Sequence, residues 1–143
     1  MHIGDIVARK GSTVATVPTG TTVAGAAAEM TRRSIGALVV SADGSSIDGI
    51  VSERDIVREL HRQGAALLGA TVGSIMSTPV HTCSPGDAPE DVMAVMTNFR
   101  VRHVPVVEGG ELRGLVSIGD VVKSRIQDLE DDHRVLVEYI TAR

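Results

Sequence analysis

Hydrophobic and polar positions along this chain follow a pattern that occurs twice. Each time, a short β-branched run ending in a Pro/Gly turn predicts a strand, and apolar residues at a spacing of three or four then predict a helix. Two further apolar runs with a Gly-containing turn between them predict a hairpin, and a second helix follows. The predicted strands are 14–17, 37–40, 47–51, 80–83, 104–107 and 112–116, and the predicted helices are 23–32, 56–63, 88–98 and 121–141.

The amino-acid sequence repeats together with this pattern. Residues 49–58, Gly-Ile-Val-Ser-Glu-Arg-Asp-Ile-Val-Arg, return as residues 114–123, Gly-Leu-Val-Ser-Ile-Gly-Asp-Val-Val-Lys. Ser52 and Ser117 therefore hold equivalent positions, 65 residues apart. A repeat on this scale predicts two copies of one structural unit. Each copy is predicted to fold as β-α-β-β-α, so the expected class is α/β, with the two motifs packed about a pseudo-twofold axis.

The copies differ at their ends. Residues 3–7 and 72–76 are similar, so each copy is expected to begin with a short lead-in helix or turn. Residues 64–70 are small and are interpreted as a flexible joint. After Asp120, apolar residues continue at helical spacing to Thr141, which predicts one long or two consecutive amphipathic helices. The predicted boundaries are 1–68 for the first motif, 69–126 for the second and 127–143 for a C-terminal helical extension.

Composition excludes several function classes. The 143 residues include 14 Lys+Arg and 18 Asp+Glu, so there is no basic excess to bind a nucleic-acid backbone. With one Phe, one Tyr and no Trp, stacking platforms for single strands are nearly absent. The single Cys83 allows no internal disulfide and is typical of a reducing compartment. No apolar run approaches the roughly 18 residues of a membrane span. A cytoplasmic protein without nucleic-acid or membrane partners is therefore expected.

The repeated pairs Ser52-x-x-Asp55 and Ser117-x-x-Asp120 are the candidate functional residues. Each pair follows a predicted strand and opens a predicted helix. A serine with an acid three residues later resembles a capping box, which stabilises a helix by roughly 1 kcal/mol. A carboxylate at such a turn can also accept hydrogen bonds from ribose hydroxyls, and helix N-terminal amides suit a phosphate. The two interpretations are compatible, because one side chain can both cap and bind.

These motifs resemble those of a known family. Residues 49–58, together with Arg-His-Val-Pro-Val-Val at 102–107 and the copy at 114–123, are similar to a tandem cystathionine-β-synthase (CBS) domain pair, also called a Bateman module. The resemblance covers nearly the whole chain, and with its amphipathic tail the chain is similar to small stand-alone bacterial members. It implies an adenine nucleotide (AMP, ADP, ATP, NAD or S-adenosylmethionine) bound in the cleft between the two motifs. It also implies a homodimer that regulates a separate, unidentified protein target, with no cofactor required.

Carried over position by position, the resemblance implies two nucleotide pockets in which each Ser and Asp pair holds the ribose. Phosphate would be met by Arg54 in one copy and by Arg102 or His103 in the other. Positive charge thus comes from a different element in each copy. One nucleotide at the shared cleft could draw Arg54, Arg102 and His103 together, so one dominant site is expected rather than two equal ones. The predicted set is Thr16, Ile35, Gly36, Ala37, Leu38, Ser52, Arg54 and Asp55 for the first pocket, and Thr82, Val101, Arg102, His103, Val104, Pro105, Ser117 and Asp120 for the second.

Other polar residues carry weaker signals. His103 could equally be a surface histidine or one whose hydrogen bonds are satisfied. His81 and Cys83 share one face of a predicted strand, but no second ligand pair lies near them in sequence, so no metal site is predicted. No nucleophile, base and orienting group form a visible trio, so the chain is not predicted to be an enzyme. The alternative function is a structural or dimerisation module whose clefts hold no ligand and whose Ser-x-x-Asp pairs only cap helices.

Overall fold

A computed structural model describes residues 1–11 and 13–142, in which helices and strands largely follow the predicted order. The helices are α1 (Ile3–Lys10), α2 (Val23–Arg33), α3 (Glu53–Gln63), α4 (Val72–Ile75), α5 (Pro89–Phe99) and α6 (Ile118–Thr141). The strands are β1 (Thr16–Val17), β2 (Ala37–Val40), β3 (Gly49–Ser52), β4 (His103–Glu108) and β5 (Glu111–Ser117). The mixed α/β class and the C-terminal helix are therefore confirmed.

The first sheet has the strand order β1-β2-β3. β1 pairs with β2 in parallel, and β2 pairs with β3 antiparallel from Ala37↔Ser52 to Val40↔Gly49, so the predicted hairpin is confirmed. All four residues of β2 are buried, which matches its continuous run of Ala, Leu and Val. β3 buries alternate residues, so it has one face on the core.

The second sheet pairs β4 with β5 through Gly109 and Gly110, whose φ values of +60° and +78° suit a tight hairpin turn. The strand predicted at 80–83 is wrong, because only Cys83 forms a bridge, with Val106. A proline in the neighbouring strand explains why residues 80–83 do not form a strand. In the first copy Val39 donates its N–H to the Ala15 carbonyl, whereas the equivalent residue in the second copy is Pro105, which has no N–H.

The interpretation of residues 64–70 as a flexible joint is also wrong. Residues Gly64–Gly69 form a 3₁₀ helix between α3 and α4. Leu67 in this helix is fully buried against the hydrophobic core of the first copy, while its neighbour Leu68 is 52% exposed. One large apolar side chain within a run of small residues is enough to fix the segment, since burying a leucine contributes about 1.5–3 kcal/mol.

The chain forms two compact units, each with its own core of small aliphatic side chains. The first unit comprises Thr13–His81 and Val107–Arg113, and the second comprises Met1–Ser12, Thr82–Val106 and Gly114–Arg143. Lead-in helices are present in both copies, as predicted, but each packs in the unit of the other copy. Ile3 and Ile6 of α1 belong to the core that contains Val104 and Val116. The motif boundaries predicted from the repeat stay a prediction, because the compact units contain segments of both sequence copies and so do not test where one copy ends.

Two helix starts show how polar residues set the position of the candidate site. α3 begins at Glu53, earlier than predicted, because Ser52 is its N-cap and accepts a hydrogen bond from the Asp55 amide. α6 begins in the same way after Ser117 and runs without a break to Thr141. Both Ser-x-x-Asp pairs therefore lie where a strand passes directly into a helix.

Candidate functional site

Asp55 lies in the first unit, at the start of α3, and both of its carboxylate oxygens are engaged. Oδ2 accepts from the Ser52 amide at 2.9 Å, which completes a capping box with the Ser52 hydroxyl. Oδ1 accepts from Arg58 Nη2 at 2.9 Å and from the Ser77 hydroxyl at 3.2 Å. The side chain is only 7% exposed. A ligand could reach this carboxylate only by displacing one of these donors.

Asp120 holds the equivalent position in the second unit and is less deeply buried than Asp55. Its Oδ2 accepts from the Ser117 amide at 2.9 Å and from Lys10 Nζ at 2.6 Å. Lys10 is fixed by a second hydrogen bond, to the Leu115 carbonyl at 3.0 Å. The side chain of Asp120 is 25% exposed, against 7% for Asp55. The carboxylate of Asp120 is therefore the more accessible of the two.

Asp120 lines a surface pocket of about 300 Å³ that belongs wholly to the second unit. This volume lies at the small end of the range for small-molecule sites. Three cationic side chains line this pocket together with the single carboxylate, which suits a ligand that carries both hydroxyls and a negative charge. The lining residues are Met1, Ile6, Arg9, Lys10, Asp120, Lys123, Ser124 and Gln127.

The charge of Asp120 is maintained by its neighbours. Burial alone would raise the pKa of this carboxyl, but the hydrogen bonds from the Lys10 ammonium and the Ser117 amide outweigh that cost. The pKa of Asp120 is therefore held below its ordinary value. The carboxylate stays ionised at neutral pH and can accept hydrogen bonds from a ligand.

Lys10→Met is expected to destabilise the protein by about 0.5–1 kcal/mol near neutral pH, because the ion pair is partly exposed and screened. A native pKa below the unfolded value of about 3.9 adds stability above that pH, and this stability is lost as the pH falls through the native pKa. Urea unfolding of the wild type and the variant should therefore converge in acid. A difference that stays constant with pH would assign the effect of Lys10 to its hydrogen bond with the Leu115 carbonyl instead.

A second pocket, of about 540 Å³, lies in the first unit between α2 and α3. Its walls are mainly apolar, and the one charged residue among the described lining residues is Glu53. Ile35 and Gly36 of the predicted first nucleotide pocket line it, but Ser52 and Asp55 do not. An acidic, apolar depression is poorly suited to a phosphate.

The structure places each predicted nucleotide pocket within a single unit. All eight residues from Thr16 to Asp55 lie in the first unit, and all eight from Thr82 to Asp120 lie in the second. Ala37, Leu38 and Val104 have fully buried side chains in the cores, so a ligand could reach only their backbone. Exposed positions in the set include Arg54, Thr82 and Arg102. The nucleotide-binding role of the set stays a prediction.

Two functional candidates were missed by sequence reasoning. Lys10 contacts Asp120 across 110 residues, and the equivalent position after the second lead-in helix is Pro79, so the repeat carried no signal. Arg58 follows Asp55 by three residues on α3, a spacing that brings side chains together on a helix. That signal was present in the sequence.

The residues considered for metal or nucleophilic chemistry have a structural explanation. Cys83 is buried, as predicted for a small core residue, and burial together with the charge of Asp87 raises its pKa to about 12. Within residues 1–11 and 13–142, no three His, Cys, Asp or Glu side chains are grouped as metal ligands would be. Among the same residues, no helix combines the length and apolarity that a membrane span requires.

Comparison with known proteins identifies relatives over most of the chain. Residues 3–62 and 72–126 match the family described as CBS domain, in two copies. A mitochondrial CBS domain-containing protein of Arabidopsis thaliana is 36% identical over 126 residues, which cover 85% of this chain. The match spans only 61% of the Arabidopsis protein.

Solved structures show the same fold. A CBS-domain containing protein from Agrobacterium tumefaciens superposes with a TM-score of 0.84 at 42% identity, covering 87% of this chain and 99% of that one. A CBS domain protein from Pyrobaculum aerophilum, solved in complex with AMP, superposes with a TM-score of 0.74 at 26% identity, covering 84% of this chain and 89% of that one.

Proposed function

This chain belongs to the CBS domain family, and on that premise we propose that it is a regulatory module that binds an adenine nucleotide. The ligand is one of AMP, ADP, ATP, NAD and S-adenosylmethionine. Its binding changes the arrangement that a separate target protein recognises. The module performs no catalysis of its own and requires no cofactor.

The Asp120 carboxylate is the observation that carries this proposal, because it is 25% exposed and lines a pocket together with three cationic side chains. A carboxylate that is fixed through Oδ2 and accessible from the pocket is suited to accept hydrogen bonds from the two hydroxyls of a ribose. Arg9, Lys10 and Lys123 line the same pocket and are suited to the phosphate groups. The complex of the Pyrobaculum relative with AMP supports the choice of an adenine nucleotide.

Asp120 and Ser117 therefore form the dominant site of our proposal. In this proposal the base contacts the partly buried Val101 and the backbone of Val104 and Pro105, whose side chains are buried, with Thr82, Arg102 and His103 beside it. The equivalent group around Asp55 is a weaker site, because that carboxylate is only 7% exposed and both of its oxygens accept hydrogen bonds within the protein. A nucleotide regulates only through a difference in its affinity for two states of the protein, so the target must distinguish those states.

The alternative, a structural module without ligand, is favoured by one observation. Both Ser-x-x-Asp pairs form complete capping boxes, so each pair already has a structural role. Capping does not account for the cationic lining of the pocket at Asp120, to which Arg9, Lys10 and Lys123 contribute. For this reason we place the nucleotide proposal first.

A thermal-shift panel on the purified chain tests the proposed function. The panel contains AMP, ADP, ATP, NAD and S-adenosylmethionine, with GTP as the control for the base. A ligand at a hundredfold excess over its Kd stabilises the native state by about 2.7 kcal/mol. For a chain of this size the midpoint of unfolding then rises by several degrees. If no adenine compound at millimolar concentration raises the midpoint above that with GTP, the structural alternative is correct.

A further inference from the structure

The C-terminal part of α6 is a long helical segment that buries none of its described side chains. The helix has 24 residues, and its buried residues, Val121 and Ser124, lie in its first two turns. From residue 125 to 142 no described side chain is buried. Helices in proteins are stabilised mainly by tertiary packing of an apolar face rather than by intrinsic helix propensity. This segment therefore requires a surface against which to pack.

The apolar residues of this segment form a stripe with the spacing of a coiled coil. They recur at alternating intervals of three and four residues, and one position, His133, is polar. The stripe starts beside Val121 but lies on a different face of the helix from the buried residues. Its exposed members include Ile126 at 51%, Leu129 at 52%, Leu136 at 56% and Ile140 at 61%. In heptad positions, a is Ile126, His133 and Ile140, and d is Val122, Leu129 and Leu136.

The charges beside the stripe identify the occupant and its orientation. With Ile126 at a, Arg125 is at g and Glu130 is at e, the two positions that face each other between parallel helices. When two copies of α6 pair in parallel register, Arg125 of each helix therefore lies opposite Glu130 of the other, which gives two pairs of opposite charges. Antiparallel overlap of the full stripe would instead face Glu130 with Glu130 of the partner subunit. Arg125 already pairs with Glu90 of its own chain at 3.1 Å, yet it remains 42% exposed on that edge.

We propose that α6 pairs with α6 of a second copy of this chain as a parallel two-stranded coiled coil over residues 122–140. The two copies bring the apolar stripe of each helix together and bury it. The a and d residues of the two helices form the seam along which the helices meet. His133 lies near the centre of this seam, opposite His133 of the partner subunit. A polar residue at a single a position fixes register and strand number but reduces stability. The pairing depends on neither the nucleotide nor its site.

Sedimentation equilibrium of the full chain tests the seam. Leu136→Glu places a charge in it and should weaken association at least about a hundredfold. The matched control is Val135→Glu, one residue away and 63% exposed, which should change association less than about threefold. His133→Ile removes the polar interruption and should strengthen association at least about tenfold. Equal weakening by the two glutamate variants, or no tightening by His133→Ile, would overturn the proposal.

Disulfide trapping tests the orientation. His133→Cys should give a covalent dimer under mild oxidation, because a positions face each other only in a parallel, in-register pair. Val135→Cys serves as the off-seam control and should stay monomeric under denaturing, non-reducing electrophoresis. The natural Cys83 does not compete, since it is buried. A covalent dimer in both variants, or in neither, contradicts the parallel arrangement.

Discussion

Asp120→Asn is expected to weaken nucleotide binding at least about tenfold. The substitution keeps the shape of the side chain and an oxygen for the capping box, but it removes the charge that the ribose hydroxyls and Lys10 share. Hydrogen bonds to a charged group contribute about 1.5–3 kcal/mol, which corresponds to a ten- to hundredfold change in affinity. Titration calorimetry with the strongest ligand of the panel measures this change directly.

Asp55→Asn is the matched control for that experiment. The Asp55 carboxylate is buried and held by Arg58, Ser77 and the Ser52 amide, so its loss should lower the free energy of unfolding by about 1–3 kcal/mol. Affinity for the nucleotide should stay within about twofold, because the dominant site lies at the other copy. If Asp55→Asn abolished binding and Asp120→Asn did not, the dominant site would lie in the first unit.

Leu67→Ala is expected to lower the free energy of unfolding by about 2–5 kcal/mol, a large part of the total for a small protein. The side chain is fully buried against the core of the first unit, and its removal leaves a cavity there. Urea unfolding, followed by circular dichroism, gives the difference. Leu68→Ala is a closely matched control, since the same atoms are removed from the next residue of the same helix, but at a site 52% exposed.

The leucine pair also tests whether the segment between the copies is structural. A change of less than about 0.5 kcal/mol is expected for Leu68→Ala, as for most surface substitutions. Equal, small losses from both variants would mean that the 3₁₀ helix contributes little to the native state. In that case the segment would act as the flexible joint that its composition predicted.

Much of the fold was predictable because the same pattern of strands and helices occurs twice in the sequence, so each copy supports the prediction made for the other. The hairpin at 37–51 and the helix after Ser52 combine a periodic pattern with a turn or cap signal, and both formed where expected. The strand at 80–83 failed because its pairing depends on the neighbouring strand. Pro105 lies more than twenty residues away, and only the sheet topology shows that its missing N–H weakens this pairing.

The candidate site was predictable in its carboxylates but not in its surroundings. Ser117 and Asp120 were found because a capping box is a local signal with a fixed spacing. Lys10 was not found, because its contact with Asp120 depends on where α1 packs, and no local pattern encodes that. The difference between Asp55 and Asp120 follows from the same cause. Two copies of the same Ser-x-x-Asp motif differ in how accessible their carboxylates are to a ligand, because different distant residues donate hydrogen bonds to them.

The exchange of the lead-in helices affects the order in which the chain can fold during synthesis. α1 leaves the ribosome before its core partners, which extend to Val121, made more than a hundred residues later. At usual rates of synthesis this delay is on the order of ten seconds. The core of the first unit, in contrast, lies between Val17 and Ile75 and can form from one continuous stretch of nascent chain. α1 therefore waits for its core partners while the core of the first unit can already be complete.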